Sequence, residues 1–239
     1  MPYCRNHLLI RTSVLAVLTG VSFLAAQPNT LTPDEIRQGW KLLFDGKSTD
    51  LWRGVLQETF PSRGWEVQDG MLVVLGQGSG DIVTRRSYSS FDLRVDFMMT
   101  PGANSGVKYF VQEYPDKKAA LGMEYQILDD PSWKDKMPDA RGKGFMASLY
   151  DLEPADAKAP RPVGEWNEAR IMVKGKHAEH WLNGEKVLEF ERGSGAFRKW
   201  VAGSKFRDVP GFGEGADGLI LLQGHGTKVF FRNIKVREF

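Results

Sequence analysis

Polar and apolar side chains alternate along residues 122–129, and this pattern constrains the fold of the chain more than any other. The apolar side chains at alternate positions are those of Met123, Tyr125 and Ile127. Glu124 and Gln126 occupy the positions between them. Successive side chains of a β-strand point to opposite faces of a sheet. The pattern therefore predicts a strand with one face in a core and one face that carries a carboxylate and an amide.

The same period of two recurs along much of the chain, as in the run 91–97, where apolar and charged residues alternate. Asn183-Gly184 lies between two such runs and is a strong signal for a two-residue hairpin turn. Thr32-Pro33-Asp34-Glu35 has the residues of a capped helix start, which predicts a short helix to about Gly39. Strands separated by turns, with little helix, favour an all-β sandwich of two antiparallel sheets or a jelly roll.

Polar faces like that of Glu124 are also predicted for residues 104–110, 178–182 and 221–225. In the last of these runs, Gln223 and His225 share a parity and therefore a face. A sheet with several such strands presents a hydrogen-bonding surface of the kind that binds sugars. Two long segments, residues 130–148 and 191–217, interrupt the strand pattern and carry aromatic residues, so we expect ordered functional loops there.

Length and charge limit the partners of the protein. Its 239 residues have a net charge of +2 with both signs interspersed, which gives no long-range field and excludes nucleic acid as an expected partner. Basic residues precede an apolar stretch from Thr12 to Ala26, so residues 1–26 are predicted to be a signal peptide of an exported protein, periplasmic or secreted. That stretch is shorter than the roughly 20 residues that span a bilayer, which favours a cleaved leader over a membrane anchor. Residues 32–239 then form one domain without a membrane span.

Several short motifs occur in an order that resembles one known family. The motifs are Leu43-Phe44-Asp45-Gly46-Lys47, Asn104-Ser105-Gly106, Glu124-Tyr125-Gln126-Ile127-Leu128-Asp129, Gly164-Glu165-Trp166-Asn167, His180-Trp181-Leu182-Asn183-Gly184, Ser204-Lys205-Phe206, Leu222-Gln223-Gly224-His225-Gly226 and Phe231-Arg232-Asn233-Ile234. Together they resemble the secreted bacterial 3-keto-disaccharide hydrolase family. The resemblance implies a concanavalin-like jelly roll that cleaves 3-keto-glycosides, which a separate sugar dehydrogenase has first oxidised at C3.

The implied chemistry accounts for the polar residue types. A ketone at C3 acidifies the hydrogen on C2, so a base can remove it, the substituent at C1 leaves by β-elimination, and water then adds to the glycal. This route needs a general base, a group that holds the developing oxyanion, and an acid for the leaving group. The resemblance favours Glu124, His180 and His225 as the catalytic residues. The substrate-binding candidates are Asn104, Lys108, Gln126, Tyr150, Trp166 and Gln223.

The cofactor and two alternative functions stay open at this point. Either no cofactor is required, or Glu124, His180 and His225 converge from three strands to hold a divalent metal ion that polarises the ketone. One alternative is a retaining glycosidase of the laminarinase type, whose Glu-x-Asp-x-x-Glu pattern is matched poorly because Gln126 cannot ionise and Asp129 ends the run. The other is a non-catalytic carbohydrate-binding jelly roll, which would keep the amides and aromatic residues but needs no base.

Overall fold

The computed structural model describes Met1 and residues 27–137, 142–156 and 159–239. Apart from Met1, the predicted signal peptide, residues 1–26, lies outside the described residues. The described helices are α1 (Pro33–Arg37), α2 (Asp130–Trp133) and α3 (Gly195–Ala202), with one 3-10 turn at Pro115–Lys117. The strands are β1 (Lys41–Leu42), β2 (Trp52–Gly54), β3 (Trp65–Gln68), β4 (Met71–Val74), β5 (Ile82–Thr84), β6 (Phe91–Met99), β7 (Asn104–Tyr114), β8 (Ala119–Leu128), β9 (Trp166–Lys174), β10 (His177–Leu182), β11 (Glu185–Glu191), β12 (Leu219–Leu222) and β13 (Val229–Glu238).

These strands form two antiparallel sheets in a jelly-roll sandwich, which confirms the predicted fold class. The eight-stranded sheet has the order β11-β10-β9-β6-β13-β4-β3, with β1 paired to β13, and the five-stranded sheet has the order β2-β5-β12-β7-β8. Neighbours that are distant in sequence, such as β6 and β13, pair by crossover connections, as a jelly roll requires. The side chains between the sheets form one large apolar core.

Local signals in the sequence explain the ends of several elements. The Thr32 side chain accepts a hydrogen bond from the Glu35 backbone N–H, and the Glu35 carboxylate accepts one from the Thr32 N–H, so the predicted capping box starts α1. The helix ends at Arg37, slightly before the expected Gly39. Asn183 and Gly184 both have positive φ, 51° and 87°, and connect β10 to β11 as the predicted tight turn.

The alternation in β7 and β8 separates the core from the site. Tyr109 and Tyr125 point into the core and are fully buried. Lys108 and Glu124 are directly opposite each other across the two strands and point to the other face of the five-stranded sheet. The predicted two-faced strand at residues 122–129 is thus confirmed, and its polar face lies on the outside of the sandwich.

The two long segments contain more regular structure than predicted. In residues 191–217, Ser194 caps α3, which the sequence prediction took for loop, and Phe197 on that helix is fully buried in the core. In residues 130–148, α2 begins directly after β8. Leu149 then pairs with Tyr125, so the chain runs along the free edge of β8. Among the residues that the structure describes, no helix combines the length and apolar character needed to cross a bilayer.

Candidate active site

A buried carboxylate, that of Glu124, lies at the centre of the outer face of the five-stranded sheet. The side chain is only 5% exposed. It extends across the neighbouring strand over Gly106, where a Cβ atom would lie 2.4 Å from Glu124 Oε1. Gly106 therefore has no side chain because the carboxylate occupies that space.

Two lysines balance the charge of this carboxylate. Lys108 Nζ lies 3.9 Å from Glu124 Oε2 and 3.7 Å from Asp81 Oδ2. Burial raises the pKa of Glu124, the positive charges of Lys108 and Lys205 counteract part of that rise, and the negative charge of Asp81 adds to it. The result is a carboxylate that binds a proton more readily than an exposed one, as a general base or acid requires.

Two amides beside Glu124 present unpartnered oxygens. Gln126 Nε2 donates to Asn104 Oδ1 at 3.0 Å, which orients the amide and leaves Gln126 Oε1 buried without a hydrogen-bond partner among the described residues. Gln223 Oε1 is likewise buried and unpartnered there. The backbone N–H of Gln223 donates to Gly106 O at 3.0 Å, which fixes Gln223 beside β7. Buried acceptors without a partner are unfavourable, so these oxygens are suited to the hydroxyl groups of a ligand.

These side chains line one cavity of about 110 Å³. It contains seven of the predicted site residues and two residues that the prediction did not select. The predicted residues are Asn104, Lys108, Glu124, Gln126, Tyr150, Gln223 and His225. The additional ones are Met137 and Lys205. The cavity combines one carboxylate with two ammonium groups, amides, a phenol and an imidazole, a set that can bind a polyol and transfer protons.

Lys205 is the functional candidate that sequence reasoning missed. Its Nζ lies 4.2 Å from the centroid of the Tyr150 ring, and its backbone N–H donates to Asp151 Oδ2 at 2.7 Å. Although the residue as a whole is exposed, desolvation of the ammonium lowers its pKa, and the nearby Glu124 partly opposes this shift. The motif Ser204-Lys205-Phe206 was the available signal, but a lysine in a long loop is usually a solvated charge.

Tyr150 reaches the cavity because the chain after residue 147 follows the edge of β8. The Tyr150 N–H donates to Glu124 O at 3.0 Å, and the Gln126 N–H donates to Ser148 O at 3.2 Å. These backbone bonds place the phenol next to the carboxylate. Burial raises the pKa of Tyr150, and the negative charge of Glu124 adds to the rise, so the phenol is held in its protonated, donating form.

His180 is not in this cavity, although the sequence prediction grouped it with Glu124 and His225. It lies on the inner face of β10, in the core between the sheets, and is fully buried. Its Nδ1–H donates to Ala147 O at 2.9 Å, and its Nε2 accepts from the Tyr109 hydroxyl at 2.8 Å. Burial lowers its pKa to about 4, so the imidazole is neutral. His180 thus positions the Ala147 carbonyl and has no free nitrogen for a substrate or a metal ion.

Trp166 also lies away from the cavity. It begins β9 in the eight-stranded sheet, and the guanidinium of Arg232 stacks over its ring at 3.9 Å. His225, in contrast, is in the loop that follows β12 and is an exposed member of the cavity wall. Of the three predicted catalytic residues, the structure therefore brings together Glu124 and His225.

The predicted metal-binding trio does not form, because His180 is in the core. Within the described residues, one group of histidine and carboxylate side chains brings its ligand atoms within 4.8 Å of one another, and it consists of His177, Glu179 and Glu189. Lys186 contacts both of these glutamates, so a protein cation already neutralises part of their charge.

Asp129 does not supply a second carboxylate to the cavity. Its Oδ2 accepts hydrogen bonds from the Gly102 N–H at 2.7 Å and the Ser132 hydroxyl at 2.6 Å, at the end of β8. Its function is to hold the turns on either side of that strand end. Glu124 is the one carboxylate among the described residues that line the cavity.

A jelly roll with a carboxylate, cations and free amide oxygens in an outer cavity has the fold and site of a carbohydrate-active enzyme. A family model described as a 3-keto-alpha-glucoside-1,2-lyase-like domain matches residues 39–237. The chain belongs to this family, as the motif order indicated.

Known proteins agree with this assignment. The chain is 32% identical to a 3-keto-disaccharide hydrolase of Bacteroides thetaiotaomicron, over 93% of this chain and 86% of the relative. It is also similar to two crystal structures of candidate glycosyl hydrolases from Parabacteroides distasonis. The first has 32% identity and a TM-score of 0.79, covering 89% of this chain and all of the other. The second has 29% identity and a TM-score of 0.66, covering 84% and 99%.

Proposed function

We propose that this enzyme cleaves 3-keto-glycosides, among them 3-keto-disaccharides, by removing the proton on C2, eliminating the substituent at C1 and hydrating the product. The observation that carries the proposal is the buried Glu124 carboxylate beside Lys108. A raised pKa makes this carboxylate a stronger base, and the ammonium lies within reach of the oxyanion that proton removal creates. The family and the name of the Bacteroides relative support the substrate class.

Glu124 and Lys108 act in the first half of the proposed reaction. Glu124 takes the proton from C2, and the electron pair of the broken C–H bond forms an enediolate with the oxygen at C3. Lys108 stabilises the negative charge on that oxygen. The enediolate then expels the oxygen at C1, His225 gives this leaving group its proton, and a C1=C2 double bond conjugated with the restored ketone remains.

The second half reverses the roles of the same groups. While the glycal stays bound, the proton on Glu124 exchanges with solvent. Water then adds to C1 and gives a proton to His225, while the protonated Glu124 delivers its solvent-derived proton to C2. The sum is hydrolysis of the glycosidic bond, with both groups back in their starting states. Gln126 and Gln223 orient the ring by accepting hydrogen bonds from its hydroxyl groups through their unpartnered oxygens.

The two alternative functions fit the cavity less well. A retaining glycosidase needs two carboxyl groups about 5–5.5 Å apart that are both free to act on the bond that is cut. The second carboxylate near Glu124, that of Asp81, is engaged by the protein: its Oδ1 accepts from the Gly224 N–H at 3.0 Å, and its Oδ2 lies 3.7 Å from Lys108 Nζ. A binding module does not require a carboxyl group whose pKa is raised by burial, and the desolvation of that group is unfavourable. In this protein the carboxylate is buried, and Gly106 leaves the space it needs.

The proposal also covers the origin of the substrate and the cellular location of the enzyme. Because the mechanism requires a ketone at C3, a separate dehydrogenase must oxidise the sugar first. Export to the periplasm or medium is proposed from the leader pattern of residues 1–26. Sequencing the N-terminus of the protein recovered from the envelope or medium tests export, and an intact leader in a cytoplasmic fraction contradicts it.

A substrate comparison tests the function. The purified enzyme is incubated with a disaccharide and, separately, with the same disaccharide oxidised at C3, and released monosaccharide is measured. We expect cleavage of the oxidised form alone. Cleavage of the unoxidised sugar supports an ordinary glycosidase, and binding without cleavage of either form supports a binding module.

A further inference from the structure

We propose that a second cavity, adjoining that of Glu124, is the subsite for the leaving sugar ring of a disaccharide substrate. This inference rests on the proposed function, since it assigns the part of the substrate that the reaction releases. The second cavity has a volume of about 360 Å³ and is bounded by the turn after β2, the segment around Arg63 and the glycine-rich turn before β5.

The two cavities share a thin wall. Asp81 lines the second cavity, and its Oδ2 lies 3.7 Å from Nζ of Lys108, which lines the first. Asp81 Oδ1 also accepts a hydrogen bond from the Gly224 N–H at 3.0 Å. A Cβ atom at Gly224 would lie 2.1 Å from Gly80 O, so the loop that carries the first cavity's amide and imidazole packs directly on the wall of the second.

The sizes of the cavities match a two-ring substrate. At about 110 Å³, the first is the smaller one and receives the edge of the oxidised ring on which the chemistry occurs. The second, at about 360 Å³, has room for a further ring. A glycosidic bond that passes Asp81 would place C1 and C2 of the oxidised ring beside Glu124 and the leaving ring in the second cavity.

Arg63 supplies the recognition chemistry of the second cavity. Arg63 lines the cavity and is exposed, and its guanidinium has no hydrogen bond or ion pair with the described residues. Two other arginines differ: Arg53 forms a two-point ion pair with Glu113, and Arg85 donates to the carbonyls of Asp50 and Glu58. A free planar guanidinium can donate two parallel hydrogen bonds to adjacent hydroxyls of a pyranose.

The test compares two substrates with the variant Arg63→Ala. One substrate is a 3-keto-disaccharide, and the other is the 3-keto methyl glycoside of the same oxidised sugar, which has no second ring. We expect the KM for the disaccharide to rise about tenfold, the effect of one lost hydrogen-bonding group, with kcat little changed. The kcat and KM for the methyl glycoside should stay at wild-type values.

Two further variants sharpen this comparison. Arg63→Lys, which keeps the charge but loses the planar fork, should give an intermediate KM for the disaccharide. Lys199→Ala removes an exposed positive charge on α3, outside both cavities. This variant should keep the wild-type kcat and KM for both substrates. Equal effects of Arg63→Ala on both substrates, or no effect on either, overturn the subsite while leaving the proposed function intact. A wild-type enzyme that cleaves neither substrate overturns the proposed function itself and the subsite with it.

Discussion

The substitution Gly106→Ala tests whether the position of the Glu124 carboxylate controls catalysis. The new Cβ atom would lie 2.4 Å from Oε1 and 3.0 Å from Cδ of Glu124. Ordinary carbon–oxygen contact needs about 3.4 Å, so the carboxylate must retreat by about 1 Å. The backbone of Gly106 is that of a regular strand residue and accepts alanine, and the displaced group is the end of a flexible side chain.

The expected result is a large loss of activity with a small change in stability. A displacement of about 1 Å at the reacting groups lowers the rate about 100-fold, equivalent to about 2.7 kcal/mol of transition-state stabilisation. The free energy of unfolding should change by less than about 1 kcal/mol, because alanine also restricts the unfolded chain. The assays are kcat on a 3-keto-disaccharide and urea unfolding of the same preparation.

A matched control is Gly195→Ala at the start of α3, where no atom lies within 4 Å of the new Cβ and φ is not positive. This variant should keep wild-type kcat. A Gly106→Ala enzyme with wild-type kcat would refute the reasoning, because the carboxylate would then act equally well from a displaced position. A variant that loses activity and stability together would show that the clash is relieved by the strands rather than by Glu124.

The charges around Glu124 and His180 determine three further outcomes. Lys108→Met removes a cation that lowers the pKa of Glu124, so the acid limb of the kcat/KM profile should move to higher pH. Glu124→Gln should abolish activity yet increase the free energy of unfolding near neutral pH, because burial raises the folded-state pKa and ionisation of this carboxyl opposes folding as pH rises through that pKa. The gain should vanish below the unfolded pKa, about 4.3. His180→Leu leaves the Tyr109 hydroxyl and the Ala147 carbonyl unpaired and should lower the free energy of unfolding by about 2–5 kcal/mol. Because burial lowers the pKa of His180 to about 4, the wild-type protein should also lose stability as pH falls from about 6.5 towards that value, and the variant should lack this component.

Each of these outcomes has a clear contrary result. An unchanged pH profile in Lys108→Met would mean that Glu124 does not ionise in the observed acid limb. A Glu124→Gln protein that is less stable near neutral pH would show that attraction to Lys108 and Lys205 stabilises the ionised carboxylate by more than its desolvation costs. Wild-type stability in His180→Leu would mean that Tyr109 and Ala147 find other hydrogen-bond partners.

Much of the site follows from the alternation of side chains along two strands. The parity of residues 122–129 places Glu124 and Gln126 on one face, and the structure adds their cross-strand neighbours and the loop residue Lys205. Those neighbours depend on the register of β7 with β8, which pairs Lys108 with Glu124 and Gly106 with Gln126. No local signal gives that register, so the reason for a glycine at position 106 was not visible in the sequence.

His180 was assigned to the site because residues 180–184 resemble a motif of the family, and the alternation within β10 did not enter that assignment. His180 has the same parity in β10 as the apolar residues Ala178 and Leu182, which are buried. The alternation therefore places His180 on the core face. Trp181 instead lies outside, beneath the guanidinium of Arg170 at 5.0 Å. The two hydrogen-bond partners that satisfy the imidazole, Tyr109 and Ala147, are 71 and 33 residues away in sequence. A core histidine of this kind cannot be distinguished from a ligand until the sheets are packed.

The central claim is that a base removes the hydrogen on C2, and deuterium incorporation tests it most directly. Cleavage of a 3-keto-disaccharide is carried out in D₂O, and the released 3-keto sugar is examined by NMR against the same sugar incubated without enzyme. The account predicts deuterium at C2 above this background with the wild-type enzyme, and none with Glu124→Gln. Cleavage that leaves the original hydrogen on C2 would contradict it.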